Sequence, residues 1–92
     1  MATVTYGPNG SSLNDLPPGS AENWVLWGFS WGDVVEITAH PLVWVDGQDR
    51  KLAVSNVESE AAPDGNRRIF FTVTNTGNSD INYVVFTSWI SP

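Results

Sequence analysis

Ninety-two residues fit one domain and leave little room for a second, and a chain of this length buries a workable core of modest stability. Ten acidic residues against four basic ones give a net charge of −6, and the basic residues sit in two short pairs, Arg50-Lys51 and Arg67-Arg68; with no positive stripe to track phosphates, nucleic acid is not an expected partner. There is no cysteine, which excludes disulfides and thiolate metal sites, and no leader-like start or run of the ~20 apolar residues that cross a bilayer, so no membrane partner is expected and no compartment is indicated.

Residues 2–6 alternate Thr3 and Thr5 against Val4 and Tyr6, a short first strand that Gly7-Pro8-Asn9-Gly10-Ser11-Ser12 should end. Residues 13–21 hold too much proline and glycine for a helix or an inner strand. They read as an ordered connector anchored by Leu13 and Leu16.

The densest stretch follows. From Trp24 to Trp31, four of the chain's eleven aromatic residues fall within eight positions. Strand alternation places Val25, Trp27, Phe29 and Trp31 on one face and Trp24, Leu26 and Ser30 on the other. One face can enter a core, while the other needs a second sheet, a second subunit or a ligand. After the turn signal Gly32-Asp33, residues 34–40 set Val35, Ile37 and Ala39 against Glu36, Thr38 and His40, the pattern of a half-buried strand. Pro41 interrupts the ladder, and Leu42 to Val45 should resume it before the turn Asp46-Gly47-Gln48-Asp49.

In residues 51–58, Leu52 and Val54 share a side, but Val57 falls out of step. A bulge near Ser55-Asn56 would restore it. The loop 59–66 carries the turn signal Asp64-Gly65. Ile69, Phe71 and Val73 then alternate with Phe70, Thr72 and Thr74, a β-branched and aromatic run with high strand preference. Asn75-Thr76-Gly77-Asn78 turns the chain into a last strand over 81–90, with Ile81, Tyr83, Val85, Thr87 and Trp89 opposite Val84, Phe86 and Ile90. Six or seven short strands with regular turn signals and no helical stripe imply a small antiparallel β-sandwich, Ig-like or jelly-roll-like, with the first and last strands at its edges.

The run Arg68-Ile-Phe-Phe-Thr-Val-Thr-Asn-Thr-Gly77 resembles Ig-like accessory modules of the CARDB and DUF11 type, whose strands end in a V-x-N-x-G turn. The resemblance covers about ten residues, extended loosely to the final strand. It implies an Ig-like sandwich of the kind appended to secreted or adhesive bacterial proteins, and it brings no catalytic residues with it.

Five tryptophans are more than a small core easily hides. Indoles stack on sugar rings, peptides and other aromatics while their N–H stays available to a polar partner. Trp24, Trp44 and Trp89, with Asn23 and Asp46 beside them, are the candidate ligand-binding residues; the bland reading is that the rings fill the sandwich or a subunit interface. His40 is the only histidine and lacks companions for a catalytic triad or a His-rich metal site. The Asp46 and Asp64 turns do not reproduce a calcium loop and read as ordinary turn chemistry. Asp33 with Glu36 would need a cleft deep enough to raise one carboxyl's pKa. The expectation is therefore a non-enzymatic binding or assembly module without cofactor or metal, a homo-oligomer formed through its tryptophan-rich surface. The alternatives are a lectin-like carbohydrate-binding module, or one taking an extended peptide, and a passive spacer from a larger extracellular protein.

Overall fold

The computed structural model describes residues 3–11 and 15–91. The anticipated anchor Leu13 and the side chains of Tyr6 and Asn9 lie outside what it describes. The described residues are all-β: β1 (Thr3–Ser11), β2 (Ala21–Phe29), β3 (Val34–Pro41), β4 (Leu52–Ala61), β5 (Arg67–Asn75) and β6 (Tyr83–Ser91). They form two antiparallel three-stranded sheets, ordered β1-β6-β3 and β2-β5-β4. Among the described strands, only β4 and β5 are consecutive and paired in one sheet; every other pair of consecutive strands lies in different layers. The described residues include no helix long and apolar enough to cross a membrane.

The two middle strands carry the core. Ile69, Phe71 and Val73 of β5 meet Tyr83 and Val85 of β6, with Ile81, Leu16, Leu26 and Phe29 completing the buried apolar set. Val35, Ile37 and Ala39 of β3 and Leu52 and Val54 of β4 pack against it from the flanks. The alternation in β3, β5 and β6 was therefore a faithful guide to their inner faces. Leu16 acts as the expected anchor: it is buried, and its backbone exchanges hydrogen bonds with Ile81 at 2.8 and 3.0 Å.

Five local expectations are corrected. First, the aromatic strand does not keep one phase. Trp27 and Gly28 together oppose one residue of β5, because Leu26 pairs with Ile69 and Phe29 with Arg67. Gly28 sits at φ 90°, where an L side chain would be strained. The bulge rotates Phe29 inward beside Trp24 and Leu26 and leaves Trp27 outside. Second, β1 runs on to Ser11 by absorbing Asn9 in a bulge between Pro8 and Gly10. Third, residues 42–45 form no strand. Fourth, the anticipated bulge in β4 is present, with Asn56 at φ 53°, yet Val57 stays exposed. Fifth, the last strand is the centre of its sheet, because it has a partner along each side.

The turn after β5 is fastened from within. Asn75 is buried, and its Nδ2 donates to the carbonyls of Leu16 at 2.8 Å and Ser79 at 2.7 Å while its Oδ1 accepts from the Gly77 amide at 2.8 Å. Every polar atom of the side chain is thus satisfied, as burial requires. A Cβ on Gly77 would lie 1.8 Å from the Asp49 carbonyl oxygen, so only glycine lets this turn approach the β3–β4 loop.

Candidate functional site

The indoles divide into two groups. Trp24 stacks on Phe71 at 6.0 Å between ring centroids, and its Nε1 donates to the Tyr83 hydroxyl at 2.9 Å. That hydroxyl donates in turn to Glu22 Oε1 at 2.6 Å. Burial, with the Glu22 hydrogen bond second, pushes the Tyr83 phenol well above its ordinary range. Trp89 meets Phe29 edge-on at 5.6 Å and packs against the core. Trp24 and Trp89 are therefore half-buried parts of the sandwich, and their ring contacts are already made. Trp27, Trp31 and Trp44 are 64%, 79% and 80% exposed.

Of the five residues singled out as ligand contacts, the neighbours Asn23 and Trp24 border one concavity on the β2-β5-β4 sheet, and the other three lie elsewhere. Asn23 and Trp24 lie on β2, Trp44 and Asp46 in the β3–β4 loop, and Trp89 on β6. Asn23 is exposed and accepts a hydrogen bond from the Thr72 hydroxyl at 3.0 Å. Asp46 is exposed in a tight turn where Gly47 takes φ 79°. Asp33 accepts the Ser30 amide through Oδ2 at 2.9 Å, which makes it a turn residue. Among the described residues no group of three or more His, Cys, Asp and Glu side chains is arranged to hold a metal ion.

What is brought together is an apolar outer face on β1-β6-β3. Val4, Ile90 and Val34 are directly paired across the three strands. They are 65%, 42% and 61% exposed. Pro8, Phe86 and Thr38 form a parallel row, and His40 meets the Phe86 ring edge-on at 5.3 Å. Among the described outward positions of this sheet, Glu36 is the one carboxylate and His40 the one imidazole. The signal for this face was already in the text: β6 is apolar on both phases, and Val34-Val35 puts an apolar residue on each side of β3.

The opposite outer face differs in character. There β4 bows at its bulge and, with β5 and β2, leaves a concavity of about 480 Å³ bordered by Asn23, Asn56, Glu58, Glu60, Phe70 and Thr72. At its end Arg68 lies over the Trp27 ring, 5.1 Å from the centroid, and pairs with Glu60. Neither Phe70 nor Glu58 stands out from sequence alone, because strand pairing across the bulge is what assembles this hollow.

A third feature is the β3–β4 loop. Leu42, Val43 and Trp44 are consecutive and exposed. Arg50 holds the loop's form: Nε donates to the Val43 carbonyl at 2.8 Å, while Nη1 donates to Gln48 Oε1 at 2.8 Å and to the Asp80 carbonyl at 3.0 Å. A guanidinium's fixed fork suits this task. Compared with protein-family models, curated proteins and solved structures, the chain matches none.

Proposed function

We propose that this domain is a non-enzymatic binding and assembly module whose partner is a second copy of itself, docked on the outer face of β1-β6-β3. The observation that carries the reading is the row Val4–Ile90–Val34, three aliphatic side chains side by side in solvent. Contiguous exposed apolar surface on a soluble protein usually marks an interaction site. Charge selects the face. Two copies at −6 repel, and this sheet face, with Glu36 as its one described carboxylate, is where acidic molecules approach at least cost. The shape agrees: the Cα radius of gyration is 14.5 Å, against about 12 Å for a compact chain of this length, so much surface is left for a partner. A face repeated on both copies closes by two-fold symmetry.

Sedimentation velocity across a wide concentration range tests this. The wild type should associate reversibly, and more tightly as salt screens the repulsion. Ile90→Glu should fold normally and lose this salt-strengthened, reversible association. A wild type that remains monomeric at millimolar concentration would remove the reading.

The hollow on the other sheet favours a second reading, a saccharide or extended-peptide site. Phe70 offers an aromatic face, and Asn23, Glu58 and Thr72 offer hydrogen-bonding groups, the combination expected of a site that orients a polar ligand. Titrating the labelled protein with neutral oligosaccharides, while following the Asn23 and Asn56 side-chain amides by NMR, would expose it. With neither association nor binding, a passive spacer would remain.

A further inference from the structure

We infer that β1 is an exchangeable arm, and that the place it fills beside β6 is also open to the β1 of a second copy of this chain. The inference concerns the backbone pairing of β1 with β6 and does not rest on the docking face above, although β1 contributes Val4 to that face.

Among its described residues, the arm is held by its backbone. β1 pairs with β6 alone. None of its described side chains is buried, and the first described member of the buried apolar set is Leu16. Its core-side positions are Thr3, Thr5, Gly7 and Gly10, opposite Ser91, Trp89, Thr87 and Val85. None of them is an apolar plug. The fit beneath is also incomplete: Thr87 is 1% exposed, and its Oγ1 has no hydrogen-bond partner, directly across from Gly7, which has no side chain to offer one.

The body keeps its grip on the chain wherever the arm lies. Leu16 is fixed by its two hydrogen bonds to Ile81 and by Asn75. An emptied place beside β6 would leave a row of unpaired amides and carbonyls next to Tyr83, Val85 and Thr87, an edge that demands a strand.

A second copy supplies the fitting occupant because its arm has the same irregularities in the same register. The bulge at Asn9 and the side-chain-free Gly10, whose added Cβ would come 3.1 Å from the Trp24 ring, fit one place on the body. Exchange keeps every strand contact and changes only the connection, the low-cost route by which identical elements trade between protomers. Two arms exchanged reciprocally close a dimer; arms passed head to tail extend a chain.

The absence of native cysteine allows a direct test. Thr3 and Ser91 are register partners at the arm's far end and lie off the apolar face. The single variants Thr3→Cys and Ser91→Cys, mixed, unfolded and refolded together at high concentration and then oxidised, should give the mixed disulfide dimer several-fold above either homodimer. The double variant refolded dilute should close within one chain. The mixed dimer should persist in a Val34→Glu background, which charges the apolar face from β3 and leaves the β1–β6 ladder unaltered, and so separates exchange from face docking. Failure of the mixed dimer to exceed the homodimers, while the dilute double variant still closes, would overturn the proposal.

Discussion

β1 and β3 lie on either side of the same strand, yet they are attached by different physics. β3 turns Val35, Ile37 and Ala39 onto the core, so its docking gains from apolar burial as well as from the ladder. The described residues of β1 offer threonine and glycine on its core side, so these gain little beyond their hydrogen bonds, each a net ~0.5–1.5 kcal/mol. Strands with equally regular pairing thus differ in how firmly they belong to the fold. The central strand supplies the template; the neighbour's inward residues decide the permanence of the match.

The largest test of that difference is Ile37→Ala beside Thr5→Ala. Truncating a partly buried isoleucine should cost about 2 kcal/mol, the lower end for such changes, whereas the β1 change should stay within ~0.5 kcal/mol. Urea unfolding of both variants decides it, and equal losses would mean that β1 contributes packing after all.

A smaller effect is expected where the two sheets meet at β6. Tyr83→Phe removes the hydroxyl that accepts from Trp24 and donates to Glu22, and should cost about 1–2 kcal/mol. The pH dependence has a definite sign. The folded state holds the phenol neutral and raises its pKa above the unfolded value of 10.0. That contribution is whole below about pH 10 and is lost as pH rises toward the folded value. The wild type should therefore lose stability above pH 10 more steeply than Tyr83→Phe, measured by thermal melts from pH 8 to 11.

The smallest effect belongs to Gly10→Val. The new Cβ would press on Trp24 Cζ3 and Cη2 at 3.1 and 3.3 Å, and about 1 kcal/mol of strain is expected. A loosely held strand should relieve it by lifting away. Hydrogen exchange should then quicken at β1 amides while β3 amides keep their protection; uniform quickening would show the two flanks to be coupled.

Much of this architecture was legible beforehand. The inner set of β3, β5 and β6 followed from alternation, because a side chain's face in an extended strand is a local property. The Asp64-Gly65 and Asp46-Gly47 turns followed from residue type, with Gly65 and Gly47 at φ 87° and 79°. The aromatic strand misled for an equally physical reason: one extra residue at Trp27-Gly28 reverses every later side chain. The one mark of the bulge in that run is Gly28, an isolated glycine inside a strand pattern, and alternation alone does not register it.

The candidate site was harder to see. Trp24 and Trp89 looked available because their contacts, Phe71, Tyr83 and Phe29, lie far away in sequence. Conversely, the apolar outer phase of β6 and the Val34-Val35 pair are visible in the sequence, but Val4, Val34 and Ile90 taken singly are ordinary exposed aliphatic residues. Their significance arises only when three strands from distant parts of the chain set them in one row.

Sequence by itself determined the class of fold, the turns and the inward residues of most strands, since backbone preference and period-two patterning act over a few neighbouring residues. Tertiary structure alone decided which strand is central, which indoles are covered and where apolar surface is left over. Those outcomes depend on pairing between segments up to 88 positions apart, as at Thr3 and Ser91, and no local pattern encodes the choice of partner.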